Sequence, residues 1–77
     1  MGAICRIYEE SEGGMTFVAE IRDDKVSGPK AQAIEKELRN YGFPKARLET
    51  VIDMLLLANP GMGAAYAPEW PKGRKRR

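Results

Sequence analysis

Residues 3–24 read AICRIYEESEGGMTFVAEIRDD, and how the two halves of this stretch face each other decides the fold. Ala3, Cys5 and Ile7 alternate with Ile4, Arg6 and Tyr8, and after the glycines Met15, Phe17, Ala19 and Ile21 alternate with Thr16, Val18 and Glu20. A period of two is the signature of a strand with one buried face, so the stretch is expected to form a β-hairpin. A three-residue loop, Glu12-Gly13-Gly14, places a glycine where such a loop needs a left-handed backbone. That loop sets Cys5 opposite Ile21, Ile7 opposite Ala19, and Arg6 opposite Glu20. Apolar then faces apolar, and an opposite-charge pair lies across the outer face. A two-residue loop sets Cys5 against Glu20 instead, so the longer loop is preferred. In this register Met15 and Phe17 belong to the core face.

Beyond the hairpin the period changes to that of a helix. Ser27-Gly28-Pro29 reads as a helix start, with Ser27 as cap and Pro29 in the first turn. Ala31, Ile34, Leu38 and Tyr41 share one face of this first helix, and Glu35 and Arg39 are spaced for an i,i+4 ion pair. Gly42 ends it and Pro44 begins a second helix that runs to Asn59, where Asn-Pro-Gly stops it. The core stripe of the second helix is Leu48, Val51, Ile52 and Leu55. Met54, Leu56, Leu57 and Ala58 are surplus to that stripe, so a covering surface is expected: either the segment GMGAAYAPEW, with Met62, Tyr66 and Trp70, or a second subunit.

The expected architecture is therefore α+β, a ββαα core over residues 1–60. An extended segment, 61–71, packs on the second helix or on a partner. A disordered basic tail, 72–77, completes the single domain. At 77 residues the core is thin, and the single cysteine, Cys5, cannot staple it. Compact packing or a partner chain must supply stability.

Charge is unevenly distributed. The net charge is +2, but Lys72, Arg74, Lys75, Arg76 and Arg77 lie within six residues. Without those five the chain holds eight basic against eleven acidic residues, a net of −3. Such a split points to an electrostatic arm on a mildly acidic module. Five cations can neutralise several phosphates, and Trp70 and Tyr66 just upstream are suited to stacking on bases. GRKRR at 73–77 also fits a nuclear import signal.

Catalytic chemistry finds little support. Histidine is absent, which removes the commonest general base and metal ligand, and with them every Ser–His or Cys–His pair. Cys5 sits mid-strand on the expected core face, where a cysteine acts as a small hydrophobe. Glu9, Glu10 and Glu12 cluster near the hairpin tip and Asp23 and Asp24 lie beyond the second strand. At about 3.3 Å per residue the two groups are more than about 20 Å apart. No metal, cofactor or small-molecule substrate is expected. Gly61 and Gly63 lack the following Lys-Ser/Thr of a phosphate loop.

No basic start leads into a long apolar stretch, and Met54–Ala58 is too short to cross a bilayer. Arg6 stands where a myristoylation signal has Ser or Thr. The expectation is a cytoplasmic protein.

RIYEESEGGMTFVAEI resembles the first hairpin of HicB-type antitoxins, in which an acidic turn with paired glycines joins two alternating strands. That family continues into a third strand, whereas RDDKVSGPKAQAIEKEL here reads straight into a helix. TFVAEIRDD with AIEKELRNYGFPKARLETVIDML is similar in order to ribbon-helix-helix repressors, with Gly42 between the helices and Ile52 in the second. Both likenesses imply small dimeric regulators. The functional expectation is a small non-enzymatic regulatory or accessory module. It makes a protein contact through Met54, Leu56, Leu57 and Met62, as a homodimer or with another protein, and adds DNA or RNA affinity through its tail. The alternative is a pure protein-binding inhibitor, antitoxin-like or phage-encoded, with no nucleic-acid role.

Overall fold

A computed structural model describes residues 4–66. They form four strands and two helices: β1 (Ile4–Ser11), β2 (Gly14–Arg22), β3 (Lys25–Ser27), α1 (Ala31–Asn40), α2 (Leu48–Ala58) and β4 (Met62–Tyr66). The class is α+β as expected, but the order is βββααβ rather than ββαα. All four strands make one antiparallel sheet in the order β3-β2-β1-β4.

The hairpin is present, and its base has the expected register: Cys5 opposite Ile21, Arg6 opposite Glu20, Ile7 opposite Ala19. Its tip does not. The loop is the two-residue Glu12-Gly13, with Ser11 opposite Gly14 and Tyr8 opposite Phe17. A bulge between these two halves reconciles them, because Val18 is an extra residue on β2 with no partner on β1. An inserted residue switches every side chain beyond it to the other face. Val18 and Ala19 are therefore both buried, while Phe17 and Met15 leave the core face. The carbonyl of Val18 accepts the Lys30 N–H at 2.8 Å, so the bulge is tied to the start of α1.

Two strands have no counterpart in the periodicity. Asp23-Asp24 turns the chain back, with Asp23 at φ 58°, so that Lys25–Ser27 pairs with Glu20–Arg22. Ser27 is thus the end of a strand and not a helix cap. Its backbone is held opposite Glu20, and α1 begins only at Ala31. Between them Gly28, at φ 120°, lies so close to β2 that a Cβ there would stand 2.9 Å from the Ala19 Cα. The 61–71 segment was expected to pack on the second helix or a partner. Its first part is β4, which pairs with β1 from Glu9 opposite Met62 to Cys5 opposite Tyr66 and also touches α2.

The helices follow their stripes. Ile34 and Leu38 of α1 and Val51, Ile52 and Leu55 of α2 are buried, and Arg39 pairs with Glu35 at 2.7 Å. After α1 the Phe43 N–H bonds the Leu38 carbonyl and the Gly42 N–H bonds that of Arg39, which is the Schellman pattern. It delivers Phe43 into the core. The buried Phe43 and a turn closed by Ala46 N–H to Gly42 C=O occupy the chain here, so α2 starts at Leu48 rather than at Pro44. At its far end Asn59 stops α2, its side-chain amide donating to the Leu55 carbonyl and to Glu37 of α1, both at 2.8 Å.

The core consists of Cys5, Ile7, Val18, Ala19, Ile21, Ile34, Leu38, Phe43, Val51, Ile52 and Leu55. It lies between the inner sheet face and the helices. Met62, Ala64 and Tyr66 of β4 and Val26 of β3 border it.

Candidate functional site

Both helices cover one side of the sheet, and none of the described elements lies over the other side. Ladder alternation puts Arg6, Tyr8 and Glu10 of β1 on that outer face, opposite Glu20, Phe17 and Met15 of β2, with Gly63 and Ala65 of β4 beside them. Tyr8 and Phe17 meet edge to face, ring centroids 6.0 Å apart at 68°. Met15, 55% exposed, reaches across β1, and its Cε would lie 3.3 Å from a Cβ added at Gly63. Small residues on β4 thus leave room for the apolar side chains of the hairpin tip.

The lower half of the same face is ionic. The Glu20 carboxylate accepts from Arg6 Nε and from Arg22 Nη2, each at 3.0 Å. These two hydrogen bonds, that from Arg6 first, hold the Glu20 carboxyl below its ordinary range. The outer face is therefore an apolar, partly aromatic patch next to a hydrogen-bonded Arg–Glu–Arg group.

Residues singled out in the sequence fall in several places. Met54 and Leu57 of α2 are exposed, 45% and 83%. Leu56 and Met62 are partly buried against the core. Tyr66 is half-buried and packs against the core too. Trp70, Lys72, Arg74, Lys75, Arg76 and Arg77 lie outside the described residues.

No family model, no curated protein and no solved structure matches this chain. What the surface can do is therefore argued from its chemistry.

Cys5 is fully buried, and that burial pushes its thiol up to about 12, so it is a protonated core residue at neutral pH. An open hollow of 540 Å³ lies between the hairpin tip and the turn into β4, lined among others by Glu9, Glu10, Ser11 and Asn59. Glu9 is held there by Lys30 at 2.7 Å. Among the described residues no group of three or more His, Cys, Asp or Glu side chains is placed to hold a metal, and no helix is long and apolar enough to cross a membrane.

The outer-face cluster was missed in the sequence because Met15 and Phe17 fit a regular alternation. One signal was there: the two-residue loop and the charge pairing Arg6–Glu20 are both favourable, and only an extra residue in β2 lets a hairpin have both.

Proposed function

We propose that this chain is a small non-enzymatic binding module whose uncovered sheet face makes a protein–protein contact, with the 72–77 cations adding affinity for nucleic acid or nucleoprotein. One observation carries the first part: Met15 and Phe17 are turned out of the core by the Val18 bulge onto a face that neither of the two described helices covers. An aromatic and methionine patch beside a fixed Arg–Glu–Arg group has the composition of an interface core with a polar rim. Arginine side chains already held by Glu20 lose little freedom when a partner docks.

The tail contribution rests on charge alone. Five cations in six residues, fully engaged with single-stranded nucleic acid, give a log–log salt slope of about −3.5, roughly −0.7 per phosphate neutralised. A cytoplasmic setting suits both parts.

The test compares three chains: the unaltered protein, a Met15→Lys/Phe17→Lys variant, and a truncation after Trp70. Circular dichroism first establishes that each is folded. Nuclease-treated capture should recover a stoichiometric protein partner with the unaltered chain and the truncation but not with the double variant. Nucleic-acid binding should fall, and its salt slope flatten, in the truncation alone. Equal recovery of the same partner by the double variant removes the sheet face from the function. Unchanged nucleic-acid binding by the truncation removes the tail and leaves a pure protein-binding inhibitor.

A further inference from the structure

The two edges of the sheet differ in kind. β3 is short, three residues, and opens with Lys25; Gly28 and Lys30 then fold the chain back onto β2. Brevity, charge and cover are the usual ways of blunting an edge. Among the described residues β4 is the opposite edge, and its five residues, Met-Gly-Ala-Ala-Tyr, include no charge and no proline, in a chain that is 31% charged.

Hydrogen-bond parity shows which groups of β4 point outward. The Glu10 N–H bonds the Gly61 carbonyl at 2.7 Å, in register with Tyr8 opposite Gly63 and Arg6 opposite Ala65. In an antiparallel ladder a residue's N–H and C=O point the same way, and neighbours point oppositely. Residues 61, 63 and 65 therefore face β1, and Ala64, at the centre of the strand, presents its N–H and C=O away from the sheet. The Met62 N–H is turned back to the Asn59 carbonyl.

We propose that β4 pairs antiparallel with β4 of a second copy, about a two-fold axis at Ala64. This register is complementary to itself. Ala64 lies opposite its counterpart, and the two exchange reciprocal N–H···O=C bonds. Gly63 lies opposite Ala65, small against small, and Met62 opposite Tyr66, a thioether against an aromatic ring. No charge meets a like charge at the joint. The product is one eight-stranded sheet. The axis runs perpendicular to it, so both outer faces lie on the same side and both helix pairs on the other. The dimer stands independently of the proposed protein contact and, where both hold, makes that contact bivalent.

The test is sedimentation velocity of the full chain over a dilution series, with amide exchange followed by NMR in the same samples. A monomer–dimer equilibrium is expected. Protection of the Ala64 N–H should rise with the dimer fraction, by about tenfold or more across the series, while Gly63 and Ala65, already bonded to β1, stay unchanged. Ala64→Pro removes the donor at the axis and should be monomeric. Met15→Lys/Phe17→Lys leaves the edge intact and should still dimerise, which separates this joint from the outer-face contact. A chain that stays monomeric throughout overturns the proposal. So does a dimer in which Ala64 exchanges as it does in the monomer, or a folded Ala64→Pro variant that dimerises as well as the parent. If that variant does not fold, the exchange measurement on the unaltered chain still decides.

Discussion

Replacing three glycines by alanine, one at a time, separates the parts of the structure that hold β2 to the start of α1. Gly13, in the hairpin loop, has no positive φ and nothing within 4 Å of an added Cβ. Gly14 has φ 120° but open space around it. Gly28 has the same φ, and its Cβ would stand 2.9 Å from the Ala19 Cα and 3.0 Å from the Val18 carbonyl oxygen. Both are backbone atoms of buried residues at the bulge, so neither yields cheaply. Gly13→Ala should change stability by no more than about 0.5 kcal/mol. Gly14→Ala carries only the backbone term, about 1–2 kcal/mol. Gly28→Ala carries that term, an overpacking cost of about 1–3 kcal/mol, and about 1 kcal/mol more if the Lys30 to Val18 hydrogen bond is lost. The sum, about 4 kcal/mol, is comparable with the whole stability of a domain this small. Urea unfolding followed by far-ultraviolet circular dichroism reads the series. With m near 1 kcal/mol/M, the midpoint of Gly14→Ala should fall by about 1–2 M, and Gly28→Ala should be largely unfolded without denaturant. A midpoint for Gly28→Ala at or above that of Gly14→Ala would refute the close approach of this turn to the bulge.

Two further outcomes follow from single side chains. The Cys5 thiol, buried and pushed up to about 12, should resist a disulfide reagent in the native protein and react fully once urea unfolds it; rapid labelling under native conditions contradicts its place in the core. Glu20 has a folded-state pKa below its ordinary 4.5 because Arg6, and then Arg22, bond its carboxylate, so its contribution is complete above that value and is lost as the pH falls through the depressed folded value. The urea midpoint of the unaltered chain, relative to Glu20→Gln, should therefore be highest near neutrality and decline once the pH drops below about 4.5; a difference that stays flat from neutral to acidic pH shows that the Arg–Glu–Arg group does not couple to folding.

The uncovered sheet face shows how much one residue can move. Val18 is a single valine in a run whose alternation is otherwise unbroken. Its insertion sends Met15 and Phe17 to the surface and brings Val18 itself into the core. Nothing local to that run distinguishes the regular strand from the bulged one. The choice follows from what the second arrangement gains elsewhere: a tight loop at Glu12-Gly13, the Tyr8–Phe17 ring contact, and a carbonyl aimed at Lys30. Met54 and Leu57 show the converse, since both were recognised as surplus to the α2 stripe and both are exposed.

Some of this protein was determined by its residues read in order. The hairpin, the pairing of Cys5, Arg6 and Ile7, the stripes of both helices, and their ends at Gly42 and Asn59 all rest on interactions within a few residues or on a period of 2 or 3.6. Tertiary structure alone decided the three-residue β3 and the pairing of β4 with β1, and it chose the bulged hairpin over the regular one. Met-Gly-Ala-Ala-Tyr has almost no alternation to read, because two of its five residues lie over a sheet face where small side chains are wanted and Ala64 lies over a thin core. Its strand character comes from pairing with Glu9 through Cys5 of β1, more than fifty positions away in the chain, and a pairing at that distance leaves no local periodicity behind.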